Sequence, residues 1–294
     1  MSEAEEKTIK AGEILKKVLK EAEEKVFVGA KILDVAEFIE GRIVELGAKP
    51  AFPVNVSINS DAAHFTPAKG DERVFKKGDL VKIDAGAHID GFIADMAISI
   101  DLGENTELIK ASKEALMNAI DAVKAGIDTA KLGKIIEETI KKHGFKPVVN
   151  LTGHGLLPYI AHAPPSIYNY ATQRGVVLEE GDIIAIEPFA TNGAGLVTDS
   201  SEAYIFRYLS PKKAKKFERE LLATIWNRFR SLPFCDRWVR DIIPGETLPK
   251  LIELSHIGSL YGYHVLVERG RGLVAQSEHT VIVCEDGVEV ITSF

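Results

Sequence analysis

The segment Val74-Phe-Lys-Lys-Gly-Asp-Leu-Val-Lys-Ile-Asp84 returns without a gap, at an offset of 103, as Val177-Leu-Glu-Glu-Gly-Asp-Ile-Ile-Ala-Ile-Glu187. In both copies a Gly-Asp turn is expected to launch a β-strand that ends in a carboxylate. Upstream, Gly29–Pro50 recurs as Gly126–Pro147 at an offset of 97, with Ile39/Ile136, Glu40/Glu137, Ile43/Ile140, Gly47/Gly144 and Lys49/Lys146 among the matches. Each upstream copy reads as an amphipathic helix. Ile32, Val35, Ile39 and Ile43 form the apolar stripe of the first, and Leu132, Ile135, Ile136 and Ile140 that of the second. Gly47 and Gly144 stand where C-terminal caps belong. Two matches in the same order predict a duplicated helix-then-sheet unit, hence an α+β domain with pseudo-twofold symmetry.

The copies diverge after the carboxylate. In the first, Asp84 is followed by Asp95 through Ala85-Gly-Ala-His-Ile-Asp-Gly-Phe-Ile-Ala. Asp90-Gly91 is a hairpin turn signal, and folding there brings both carboxylates to one place. In the second, Glu187 leads to Asn192-Gly-Ala-Gly195 and a long helical segment before the strand Leu273-Val-Ala-Gln-Ser-Glu-His-Thr-Val-Ile-Val283. This reading makes Glu278 the symmetry partner of Asp95. Residues 207–271 read as an inserted helical subdomain within one catalytic domain spanning 1–294. It opens with the amphipathic run Lys212 to Phe229 and carries Pro233, Pro244 and Pro249 as breakers.

With 46% hydrophobic and 27% charged residues, the chain has the composition of a globular protein with a real core. Met1-Ser-Glu-Ala-Glu-Glu-Lys7 lacks the regions of a secretory signal, and no apolar run is long enough to span a bilayer, so no membrane partner is expected. Cys235 and Cys284 are far apart and outside any zinc or redox spacing, which suits a reducing cytoplasm. A net charge of -7 argues against a nucleic-acid partner. The local run Lys212-Lys213 with Lys215-Lys216 reads as a solvated helix face.

Asp84, Asp95, Glu187 and Glu278 all lie in apolar, strand-like sequence. Any one alone reads equally as a polar-face residue or half of a salt bridge. Four that converge would repel one another prohibitively without cations, and oxygen ligands with an imidazole suit a pair of divalent ions about 4 Å apart. His154, in Leu151-Thr-Gly-His-Gly155, is the imidazole candidate, because flanking glycines let the backbone approach a site. His64 and His162 are candidates for polarising a carbonyl or moving a proton. His279 follows Glu278 on a strand and should face the other way, and His88, His143, His256 and His264 are left out of the site. Gly-x-Ser-x-Gly, nucleophilic-cysteine, P-loop and dinucleotide motifs are absent, which leaves a metal-activated water as the nucleophile.

The chain resembles the pita-bread metallopeptidases, specifically the type II methionine aminopeptidases of the archaeal kind, over nearly its whole length. The resemblance rests on Ala51-Phe-Pro53, Ala63-His-Phe-Thr-Pro67, Lys82-Ile-Asp84 with Asp95, Asn150-Leu-Thr-Gly-His154, Ala185-Ile-Glu-Pro-Phe189 and Val274-Ala-Gln-Ser-Glu-His-Thr280, with the helical insertion before Glu278. It implies removal of the initiator methionine before a small second residue, using two divalent ions (cobalt, manganese, iron or zinc). Asp84 would bind one ion, His154 and Glu187 the other, and Asp95 and Glu278 would bridge. Glu187 would also shuttle a proton to the leaving amine, and His64 and His162 would flank the scissile peptide. Phe52, Ala161, Phe189 and Tyr263 would form the methionine pocket. The implied partners are N-terminal methionyl peptides and nascent proteins; a ribosome contact stays open, and a cytoplasmic monomer is expected. Where the family usually has glycine after His162, Ala163-Pro164-Pro165 stands here, which predicts a more restricted path for the chain presenting His162. Two alternatives are a proline-specific hydrolase of the same fold, whose members usually carry a large N-terminal domain, and a noncatalytic pita-bread binding protein, which would have lost ligands.

Overall fold

A computed structural model describes residues 2–212, 214–243 and 245–293. Lys213 and Pro244, read above as part of a basic run and as a breaker, lie outside the described residues, as does Met1.

The duplication is reproduced in the backbone. Helix Ile32–Glu45 and strand Lys49–Pro50 are matched, residue for residue, by helix Thr129–Lys142 and strand Lys146–Pro147. Small bonds repeat too: Gly29 N donates to Phe75 O as Gly126 N does to Leu178 O, and the bridge Lys31–Val74 is mirrored by Asp128–Val177. In the two Gly-Asp turns, Asp79 accepts from Lys76 N and Asp182 from Glu179 N. Gly47 and Gly144 close their helices at φ +92° and +80°, the left-handed conformation that caps a helix most cheaply with glycine.

One sheet joins the halves. Its order is Lys49–Pro50, Leu80–Ile89, Phe92–Asp101, Glu278–Cys284, Ile183–Ile186, Thr152–Leu157 and Ile160–Tyr168, with Asn55–Ile58 also on Leu80–Ile89 and Gly287–Val290 also on Glu278–Cys284. Helices Glu3–Glu23 and Ile32–Glu45 bury Leu15, Leu19, Ile39 and Ile43 against the first half. Helices Thr106–Ala122 and Thr129–Lys142 bury Leu108, Leu132, Ile136 and Ile140 against the second. With both helix pairs on the outer surface, the other face of the sheet is left to build a site.

Four expectations are corrected. The first repeat strand does not end at Asp84 but runs from Leu80 to Ile89, because the Asp90-Gly91 turn pairs it along its whole length with Phe92–Asp101; its copy stops at Ile186, where Pro188 cannot donate to a ladder. The run expected as one strand, Leu273–Val283, is two, Val274–Gln276 and Glu278–Cys284. At the break, Ser277 Oγ shares a hydrogen bond with Ser112 Oγ at 2.9 Å. The helix expected from Lys212 starts at Lys216, since the Glu218 carboxylate reaches back to cap Lys215 N–H at 2.7 Å. Finally, the register moves the symmetry partner of Asp95. The pairs Ile83–Ile98 and Ile186–His279 are equivalent rungs, so Asp95 corresponds to Gln276, and Glu278 to Ala97.

Within residues 207–271, helices Lys216–Phe229 and Thr247–His256 surround their own apolar cluster, including Leu222, Ile225, Val239, Leu251 and Leu254. Strand Leu260–Glu268 belongs instead to a sheet with Val197–Tyr208 and Asp61–Ala63. A buried Arg237–Glu40 ion pair and Trp238 Nε1 donating to Glu40 at 2.8 Å fasten the segment to helix Ile32–Glu45. No helix among the described residues is long and apolar enough to cross a membrane.

Candidate metal centre

Asp84 and Glu278 both lie opposite Ala97, and Asp95 lies two residues along from Ala97 and opposite Gly86. Since side chains alternate along a strand and cross-strand partners share a face, all three carboxylates project from the same face. Thr280 and His154 both lie opposite Ala185, which adds His154 to that face and Glu187, two residues beyond Ala185. The geometry follows. His154 Nε2 lies 3.4 Å from Glu187 Oε1 and 3.9 Å from Asp95 Oδ2. Ligating atoms of Asp95, His154 and Glu278 fall within 4.8 Å of one another.

The electrostatics of this cluster point one way. Burial pushes the Asp84 carboxyl up to about 7. Burial and then neighbouring carboxylates push Asp95, Glu187 and Glu278 well above the ordinary range. Lys82, on the same strand as Asp84, turns its ammonium to Asn59 O at 3.0 Å rather than to the cluster. Asp84 Oδ1, Asp95 Oδ1 and Glu278 Oε1 are buried and accept no hydrogen bond. Orphaned carboxylate oxygens facing an imidazole fit a hard or borderline divalent cation and little else. His154 Nδ1 lies 3.2 Å from Gly155 O, so it must carry the proton, which leaves the Nε2 lone pair for coordination. Burial, then the adjacent His162, holds the His154 pKa down to about 3, keeping that lone pair free.

The cluster forms one end of a cavity of about 450 Å³, lined also by Phe52, His64, His162, Phe189, Pro233 and Tyr263. His162 reaches it despite Ala163-Pro164-Pro165, its ring 4.7 Å from that of His154. His64 sits at φ +65°, a strained conformation for a residue with a Cβ, and its Nδ1 donates to His264 O at 3.2 Å. Burial, reinforced by His162 for His64 and by Arg207 for His162, lowers both pKa values to about 4, so both rings are neutral near pH 7. Of the expected pocket residues, Phe52, Phe189 and Tyr263 line the cavity. Ala161 is not among the lining residues; it packs with Phe52, Leu156 and Leu232 in one apolar cluster. His279 points away, its Nδ1 3.1 Å from Thr292 Oγ1, and His88, His143 and His264 bond elsewhere.

Residues 6–285 match the metallopeptidase family M24. The chain belongs to that family. Among M24 relatives, the methionine aminopeptidase of Archaeoglobus fulgidus is 57% identical, the alignment covering 99% of each chain. The crystal structure of the methionine aminopeptidase of Thermotoga maritima superposes with a TM-score of 0.73 at 26% identity, covering 98% of this chain and 96% of that one. The structure of a thermophilic Arx1 reaches 0.83 at 20% identity, covering 99% and 91%, a likeness of fold alone. The M24 chain thus has the pita-bread fold, and it uses a divalent metal. One contact in this M24 site escaped the sequence reading. Gln276 Nε2 donates to Glu187 at 3.2 Å and Glu278 at 3.4 Å, tying two of the carboxylates together. Its signal was an amide two residues before a strand carboxylate, inside the motif Val274-Ala-Gln-Ser-Glu-His-Thr280.

Proposed function

We propose that the protein is a methionine aminopeptidase that removes the initiator methionine from polypeptides whose second residue is small. The observation that carries this reading is the convergence of Asp84, Asp95, His154, Glu187 and Glu278 at one end of a cavity walled by Phe52, Phe189 and Tyr263, in a chain 57% identical to a methionine aminopeptidase. Asp84 would serve one ion, His154 with Glu187 the other, and Asp95 with Glu278 both; manganese, iron, cobalt and zinc all suit these donors. Bound there, the divalent ions supply Lewis acidity and lower the pKa of water.

The protein's own groups do the rest. The cavity offers the methionine side chain an apolar slot against Phe52 and Phe189. Neutral His64, with Nδ1–H committed to His264 O, presents Nε2 as an acceptor suited to the scissile peptide N–H. His162 is free to donate to the carbonyl oxygen as charge develops on it. Glu187, its pKa raised by burial, can carry a proton to the leaving amine. The substrates are free N-terminal methionyl peptides, nascent chains among them. The residues from 207 to 271 form an insertion within a single catalytic domain.

Incubation with Met-Gly and Met-Leu peptides, with and without chelator, tests this directly. Cleavage of Met-Gly alone, abolished by chelation and restored by manganese or cobalt, is expected. Turnover in fully demetallated protein, or equal cleavage of N-acetylated peptides, would refute it.

A further inference from the structure

Strand Glu278–Cys284 changes neighbour in the middle of the metal site. One edge pairs with Ile183–Ile186 from His279 through Ile282. The other edge pairs with Phe92–Asp101 only at Glu278 and His279, then with Gly287–Val290 from Val281 onward. The fork falls at Thr280, on the rung where its backbone would have met Asp95. Instead Thr280 N donates to Thr292 Oγ1 at 3.0 Å, and Thr280 O accepts from Ile291 N at 3.1 Å. Asp95 would thereby lose its ladder partner in a buried place, where an unpaired amide is costly.

The Thr280 hydroxyl fills the gap. It accepts from Asp95 N–H and donates to Asp95 C=O, both at 2.7 Å, reproducing with one hydroxyl the pair of bonds a strand residue makes. Thr292 repeats the device one layer back, its hydroxyl taking Thr280 N–H and lying 3.1 Å from His279 Nδ1. Thr280 and Thr292 are fully buried. We infer that Thr280 is a positioning residue for Asp95, holding the backbone of this bridging carboxylate at the sheet fork, and that Thr292 near the end of the described chain steadies Thr280 in turn. This inference rests on the metal reading above.

Thr280→Val keeps the side-chain shape and removes the hydroxyl, whereas Thr280→Ser keeps the hydroxyl. Metal-free protein is titrated with manganese by calorimetry and with cobalt by visible absorption, and kcat and KM are measured on a Met-Gly peptide. Thr280→Val should bind metal about tenfold or more weakly, shift the cobalt spectrum and lower kcat more than it raises KM, with Thr280→Ser within about threefold of the parent, as for groups that orient a ligand. Thr292→Val should move the same quantities less. Parental affinity and spectrum in Thr280→Val would overturn the inference alone, as would a Thr280→Ser as weak as the valine. Should Thr280→Val fail to fold, parental metal affinity in Thr292→Val overturns it and weakened affinity supports it. A parent protein that binds no metal overturns both this inference and the reading beneath it.

Discussion

In the first half of the molecule the two carboxylates, Asp84 and Asp95, are eleven residues apart and joined by one tight turn; in the second, Glu187 and Glu278 are ninety-one apart. The halves share helix, cap, bridge and Gly-Asp turn, yet they close their site differently. Asp90 and Gly91 both adopt positive φ, 52° and 93°, as a two-residue hairpin requires, so the first pair is fixed by local geometry. The second pair is brought together only by the assembled sheet. The long excursion between Glu187 and Glu278 delivers Ile205, Pro233, Tyr261 and Tyr263 to the cavity wall. The first half is therefore the compact scaffold of the centre, and the second carries most of what shapes the substrate cavity.

That comparison can be broken at Asp95 and Glu278, the carboxylates proposed to serve both ions. Asp95→Ala and Glu278→Ala should each lose bound metal and drop turnover by more than about 10²-fold, whether the residue arrives by hairpin or by long excursion. A variant that retained full metal occupancy, measured by elemental analysis, and near-parental turnover would remove that residue from the centre. His162→Ala, in the second half, should keep its metal and fold but lose roughly 10²-fold in kcat, the scale of one preorganised donor. Loss of metal in that variant would place His162 among the ligands and undo the division between ligating and peptide-facing histidines.

A smaller effect separates the repeat mates Asp84 and Glu187 from ordinary surface acids. Asp84 has its pKa raised by burial from 3.8 to about 7, so in metal-free protein the folded state binds more protons than the unfolded state between those values. Its contribution therefore becomes progressively destabilising as pH rises through that window, and the penalty is complete above about 7. Asp84→Asn should raise the melting temperature of metal-free protein by at least about 2 °C at pH 7.5 and by nothing near pH 3.8, the sign reversing once metal is added. An unchanged or lower melting temperature at pH 7.5 without metal would mean that protein groups, the Gln276 amide first among them, offset the burial of this carboxylate. The smallest test compares the repeat caps. Gly47→Ala and Gly144→Ala, both at positive φ with open space around the Cβ, should cost about 1 kcal/mol each by urea unfolding. Unequal costs would show that the two helices no longer end in equivalent ways.

Much of this was legible because it is local or periodic. The duplicated helices, their glycine caps, the hairpin turn and carboxylates standing in apolar strands leave marks in the order of residues, since each depends on neighbours within a few positions. Asp84, Asp95, His154, Glu187 and Glu278 could be named as candidate ligands for that reason. Register was not legible: Gln276, not Glu278, is the rung equivalent of Asp95, and a shift of two keeps the same face, so the hydrophobic pattern is blind to it.

The sequence by itself determined that two related units build one α+β domain and which charged side chains must share a site, because burying those charges alone would be prohibitive. Only the tertiary structure decided how they meet. It placed Ala161 behind Phe52 instead of at the cavity, split the last metal strand at Ser277, and set Thr280 at the fork where its hydroxyl replaces a missing rung for Asp95. Each of these depends on atoms far apart in the chain competing for one place. Side-chain type restricts such contacts but does not select them; packing and the demand that every buried backbone group find a partner do.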